Sequence, residues 1–194
     1  TEGRKGYFLA RPRRFGKTLV VSTLESIFKG RADLFEGLAI AQTDYAFEEF
    51  PVIRLDMSKV KSTSIEILNQ SIQRLLLAVA KQYNIELEKN EIEFMFTDLI
   101  EAINETGRPV VILIDDYDAP IIGQMFKDSK LAEKIGSVLN DFYRVIKSMS
   151  EQIRFVFVTG ITNTEAGSVF SGLNHLRNIT GSQDYFALCG IKQS

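Results

Sequence analysis

The chain is poor in the residues that cross-link or metallate small proteins. It has one cysteine, Cys189, in 194 residues. An internal disulfide is therefore excluded, and a reducing, cytoplasmic setting fits. It has one histidine, His175, so there is no His/Cys cluster to hold zinc. No apolar run approaches the ~18 residues needed to cross a bilayer, and no secretory signal is visible. A membrane partner is not expected. Neither sign of charge dominates: 23 Lys and Arg stand against 25 Asp and Glu, a net −2. That balance argues against a dedicated nucleic-acid coat and leaves nucleic acid as an indirect partner at most. Internal repeats, low-complexity runs and flexible linkers are also missing. The length suits one domain, residues 1–194, with a sizeable core. The first strand begins almost at Thr1 without an initiating Met, so the chain reads as a fragment of something longer.

What is present begins at Gly6. Tyr7-Phe8-Leu9-Ala10 reads as a buried strand, followed by a basic loop, then Gly16-Lys17-Thr18, then a helical pattern from Leu19. Strand, loop, G-K-[ST] and helix are the parts of a phosphate-binding loop. Backbone N–H groups and the positive end of the helix would face an anion. Those donors run from about Arg14 through Phe15 and Gly16 to Leu19. Lys17 would add a point charge at the β/γ-phosphates, and the Thr18 hydroxyl would ligate Mg²⁺. Arg13 and Arg14 would raise the local potential beside a triphosphate or meet a partner. The first glycine of G-x-x-x-x-G-K-[ST] is replaced by Arg11, and Pro12 has no N–H to give.

Further along, strands and helices alternate. A helix is expected over 17–29, stopped by Gly30, and short packing segments around Gly37. A strand is expected over 51–58 and a helix from a capping box Thr63-x-x-Glu66 to about Asn84. Another helix ends at Gly107, with Phe94, Met95 and Phe96 as packing residues. Val110–Ile114 is a continuous apolar run, as in a strand buried on both faces. A loop with Pro120 and Gly123 and a helix around Leu131–Met149 follow. The fourth strand spans 153–158 and ends at Thr159-Gly160. A helix-like piece at 168–173 and short strands at 178–180 and 185–189 close the chain. This alternation predicts an α/β layer structure with a parallel sheet.

The carboxyl ends of such strands are where ligands bind. Asp115-Asp116-Tyr117-Asp118 sits there, directly after the apolar run. This is the Walker B pattern. Asp115 would hold Mg²⁺, and Asp116 is placed to orient or deprotonate water. Asp118 reads as a structural or supporting group. Thr159 and Thr162 close a strand that can lie between the two motif strands. A hydroxyl there would touch the γ-phosphate or the water, although an ordinary turn threonine explains each equally well.

Together these segments resemble the AAA-ATPase-like family of bacterial P-loop proteins. The resemblance rests on Arg11-Pro-Arg-Arg-Phe-Gly-Lys-Thr-Leu19, Pro51-Val-Ile-x-Leu-Asp-Met-Ser58, Val111-Ile-Leu-Ile-Asp-Asp-Tyr-Asp118, Ile153-Arg-Phe-Val-Phe-Val-Thr-Gly160, Phe170-Ser-Gly-Leu-Asn174 and Leu188-Cys-Gly190. The family's own loop carries arginine and proline where glycine was expected. The resemblance implies a three-layer P-loop NTPase of the ASCE type, with about five mainly parallel strands in the order 5-1-4-3-2 and helices on both faces. It implies ATP and Mg²⁺ as ligands. Lys17 and Thr18 would bind phosphate and metal, Asp115 would be the Walker B acid, and Asp116 would stand at the catalytic acid. Members are often joined to a PD-(D/E)xK nuclease-like domain, so such a domain or a partner protein is an expected companion.

The family reads D-E-Y-D where this chain has D-D-Y-D. Aspartate is one methylene shorter, which draws the carboxylate back by roughly 1.5 Å. Two functions follow. One is Mg-dependent ATP hydrolysis that drives or licenses an attached or partner module, with Asp116, Lys17 and Thr159 at the chemistry. The other is a nucleotide-binding interaction switch with little turnover. A small-molecule kinase is a third class, but no lid is evident. An arginine supplied in trans would require an oligomer. Arg154 and Arg177 read as ordinary arginines and His175 as structural.

Overall fold

A computed structural model describes residues 6–162 and 168–188. Five strands form one sheet: β1 (Gly6–Ala10), β2 (Val52–Asp56), β3 (Val110–Asp115), β4 (Ile153–Gly160) and β5 (Arg177–Asn178). The helices are α1 (Lys17–Phe28), α2 (Ile65–Gln82), α3 (Ile92–Asn104), α4 (Ala119–Met125) and α5 (Ser129–Ser148). Every strand pairing is parallel. The order is β2-β3-β4-β1-β5, which is 5-1-4-3-2 read from the other edge. Strand β4 thus lies between β1 and β3, the two strands that lead into the motifs.

β3 explains the layering. All six of its residues are buried, and they alternate between two cores. Val110, Ile112 and Ile114 join the larger core with residues of α2, α3, α4 and α5. Val111 and Leu113 join the smaller core under α1, beside Val21. A strand covered on both faces has no solvent side, so its sequence reads as an unbroken apolar run. No helix among the described residues is long and apolar enough to cross a membrane.

Several boundaries differ from expectation for local reasons. β2 ends at Asp56, because Met57–Lys59 turns into a 3₁₀ segment with Asp56 as its cap. The α2 cap is Ser64, not Thr63: its Oγ accepts from Ile67 N at 3.2 Å. Pro120 and Gly123 lie within α4, not in a loop. Proline is tolerated in a first helical turn, where its missing N–H has no partner to lose. β5 occupies 177–178, one residue before the expected strand. Residues Gln183–Leu188 form a 3₁₀ segment instead of the strand expected over 185–189, and Cys189 lies outside the described residues. In α3, Met95 and Phe96 are buried while Phe94 is 55% exposed. Consecutive helical residues diverge by about 100° and cannot all face one core.

Candidate active site

The end of β1 is fastened on both sides before the loop begins. Arg11 N donates to Gly160 O at 3.0 Å, and Ala10 N donates to Thr180 Oγ1 at 2.9 Å. The Arg11 guanidinium reaches Thr180 O at 2.5 Å. This gives a physical reason for arginine at the position of the missing glycine. Its side chain anchors the loop to the chain after β5.

The loop then turns through two left-handed residues, Arg14 at φ 67 and Gly16 at φ 82. Gly16 is the α1 cap residue and supplies no side-chain hydrogen bond. Its carbonyl accepts from Val20 N at 3.1 Å, the first helical bond. The N–H groups of Lys17, Thr18 and Leu19 precede that bond and have no intrahelical acceptor. They and the positive helix end are the donors available to an anion. Phe15 and Leu19 are 46% and 71% exposed, and their apolar side chains carry no donor, so only their backbone can serve that purpose.

Lys17 is buried despite its charge. Its ammonium donates to Arg11 O and Pro12 O, each at 3.2 Å. It also stands 3.6 Å from Asp116 Oδ1. The two motifs, far apart in sequence, therefore meet. A cavity of about 560 Å³ holds Arg13, Arg14, Gly16, Lys17 and Thr18 on one wall. Asp116, Ser58, Ala119, Ile122 and Ile161 also line it. Of the lining residues, Ser58, Ala119, Ile122, Gly123 and Ile161 had no site role in the sequence reading. Ser58 stood inside a quoted motif, but nothing in its spacing pointed to a cavity.

Asp116 is a strained and partly buried acid. Its φ of 50 is uncommon for a residue with a side chain. Its Oδ1 is buried without a hydrogen-bond partner among the described residues. Burial raises its pKa above the ordinary 3.8, the Asp115 charge raises it further, and Lys17 pulls it back. A carboxylate with a raised pKa is a stronger base when ionised.

Asp115 is buried behind it at 2% exposure. Thr159, fully buried on β4, donates its hydroxyl to Asp115 Oδ1 at 2.6 Å. The Thr159 hydroxyl oxygen in turn accepts from Asp116 N at 3.3 Å. The Thr159 hydroxyl thus meets the two acids rather than the cavity. Thr162 is likewise engaged: Asp118 Oδ2 accepts from Thr162 N and Oγ1, both at 2.6 Å, and from Ile161 N at 3.0 Å. Asp118 therefore ties the end of β4 to the start of α4. Behind it, Tyr143 on α5 donates to Tyr117 O at 2.8 Å.

The donor set suits Mg²⁺. That ion prefers oxygen ligands and takes only one or two from protein, the rest being phosphate and water. Asp115 offers a carboxylate and Thr18 an exposed hydroxyl at the α1 start. Among the described residues there is no group of three or more His, Cys, Asp or Glu that would hold a metal alone.

The other candidates lie elsewhere. Arg154 sits near the beginning of β4, away from the cavity, over the Phe50 ring at 5.5 Å. Arg177 lies over the Tyr185 ring at 5.7 Å. His175 lines a separate apolar hollow with Ile146, Val156 and Leu176, and burial lowers its pKa below 6.5. A hollow of about 710 Å³ before the first residues of β2 and β3 contains Lys29, Arg31 and Arg108. Those cations already meet Glu25, Asp33 and the Glu49 carbonyl.

Comparison with known proteins fits this geometry. A protein from Azotobacter chroococcum mcd 1, described as "Uncharacterized protein in vnfD 5'region", is 33% identical over 189 residues. The match covers 97% of this chain and 36% of the relative, so the chain spans about a third of that protein's length. The model of the predicted AAA-ATPase family matches residues 1–170. With a loop, a cation and paired acids meeting at the carboxyl ends of β1 and β3, the chain belongs to the predicted AAA-ATPase family.

Proposed function

We propose that this domain binds ATP with Mg²⁺ and hydrolyses it, in the manner of a P-loop ATPase of the ASCE type. The cycle drives or licenses an attached or partner module. The observation that carries the reading is the Lys17 ammonium 3.6 Å from Asp116 inside one cavity. The backbone from Arg14 to Leu19 holds the phosphates, and Lys17 neutralises them. Asp115 and Thr18 would hold the metal, which supplies charge neutralisation on the β- and γ-phosphate oxygens. Asp116 takes a proton from water as the water oxygen attacks the γ-phosphorus. The bond to the bridging oxygen breaks, ADP leaves, and the proton passes on to the phosphate product. Thr159 acts by positioning both acids.

One feature favours a second reading, a nucleotide-dependent switch with little turnover. Asp116 is shorter than the glutamate of the family pattern, and its inward oxygen already faces Lys17. A displacement of about 1 Å can cost on the order of 10²-fold in rate. Phosphate release and ATP binding by the parent, Asp116→Glu and Lys17→Ala separate the readings. Comparable turnover in parent and Asp116→Glu supports the ATPase. Turnover only in Asp116→Glu supports the switch. Mg-ATP binding that survives Lys17→Ala unchanged sinks both.

A further inference from the structure

We propose that Ser58 holds the attacking water from the wall opposite the phosphate loop, an inference that rests on the hydrolytic reading above. Ser58 lies just past the tip of β2 and lines the cavity with Lys17 and Asp116. β2 runs beside β3 in register, with Asp56 next to Asp115.

The chemistry of Ser58 is set by Asp56. The Asp56 Oδ1 accepts from Ser58 N at 3.2 Å and from Ser58 Oγ at 2.5 Å. Its Oδ2 lies 3.1 Å from Lys59 Nζ. Burial raises the Asp56 pKa, but the bonds from Ser58 and Lys59 outweigh burial and hold it below 3.8. An ionised carboxylate only accepts hydrogen bonds, so the single hydroxyl hydrogen of Ser58 is committed to Asp56. What Ser58 Oγ offers the cavity is lone pairs.

Acceptors on this wall suit a donor. The phosphate oxygens find their donors on the loop wall, from backbone N–H groups, Lys17 and the two arginines. Water has two hydrogens, and Asp116 and Ser58 accept one each. The hydrogen on Asp116 is the one transferred as the oxygen attacks. The hydrogen on Ser58 stays with the phosphate formed. The wall is also fixed in place: the buried Ser62 hydroxyl donates to Pro120 O at 2.8 Å. That bond ties the chain after Ser58 to α4, whose Ala119 and Ile122 line the same cavity.

The test compares the parent, Ser58→Ala, Ser58→Thr and Lys17→Ala. Three quantities are measured: phosphate release, binding of a fluorescent ATP analogue, and trapping of ADP with aluminium fluoride, a mimic of the transferring phosphoryl group. Ser58→Ala is expected to keep analogue binding within twofold. It should lose tenfold or more in kcat and in trapping, and Ser58→Thr should recover both. The inference is overturned if Ser58→Ala stays within twofold of the parent in kcat and trapping. It is also overturned if Ser58→Thr is as impaired as Ser58→Ala, or if analogue binding falls in parallel. A parent that binds ATP but neither turns it over nor traps ADP–aluminium fluoride overturns it too, since no water is then held. Binding and turnover that survive Lys17→Ala locate the failure in the ATPase reading itself.

Discussion

The Thr159 hydroxyl donates to the Asp115 carboxylate at 2.6 Å, from β4 to the neighbouring β3. Both groups are buried, so water cannot replace the bond. Thr159→Val keeps the shape and removes the donor. The unsatisfied carboxylate should cost about 1–3 kcal/mol of stability, read from urea unfolding. Phosphate release should fall by tenfold or more. Thr159→Ser retains the hydroxyl and should stay close to the parent in both measurements.

Gly160, the next residue on β4, packs against Tyr117 and Asp118. A Cβ there would lie 2.3 Å from the Tyr117 ring and 2.9 Å from Asp118 Oδ1. Gly160→Ala must therefore displace a buried aromatic and the carboxylate that holds Ile161 and Thr162. A loss of about 1–3 kcal/mol is expected from overpacking. An unchanged thermal midpoint would show that the Tyr117 ring has room to move.

Gly16 poses a different constraint. Among the described residues nothing lies within 4 Å of a Cβ built there, yet its φ is +82. For an L-residue that conformation costs roughly 1–2 kcal/mol. Gly16→Ala should lose about that much stability or reshape the loop. ATP-analogue binding should weaken by tenfold or more while the circular dichroism spectrum is retained.

Glu25 links α1 to β2 far from the chemistry. Its carboxylate meets Lys29 and Arg54, each at 2.6 Å. Burial raises its pKa, but the bonds from Lys29 and Arg54 outweigh burial, so the folded value lies below the ordinary 4.5. A depressed carboxyl pKa stabilises the fold above the unfolded value, and that stability disappears as pH falls through the folded value. Glu25→Gln should therefore cost about 1 kcal/mol at pH 7, as charge-assisted hydrogen bonds of a partly buried group do. The gap between parent and variant should close as pH falls through the lowered folded value. A gap independent of pH would rule out the linkage.

The sequence carried the parts of the site that are local. A strand, a loop and Gly16-Lys17-Thr18 are contiguous, and the acid follows its apolar strand directly, so pattern alone brings both into view. The buried character of β3 was readable for the same reason. Contacts that cross the sheet were not. Thr159 could be listed as a strand-end hydroxyl, but its choice of Asp115 over the cavity depends on which strands are neighbours. α4 was missed because Pro120 and Gly123 punctuate loops more often than they begin helices. Ser58 gained a place only when β2 settled beside β3 and its 3₁₀ turn came to line one cavity with the loop after β1.

The position of β4 has a consequence for the width of the site. The loop after β1 and the acids of β3 are separated by one intervening strand. That makes their spacing two strand intervals, roughly 10 Å. Main-chain hydrogen bonds hold this length like a ruler, since β4 pairs with β1 on one side and β3 on the other. Changes in the surrounding loops can alter what lines the gap without narrowing it. The methylene that Asp116 lacks therefore has to be made good by a side chain or a water, because the two strands cannot close to replace it.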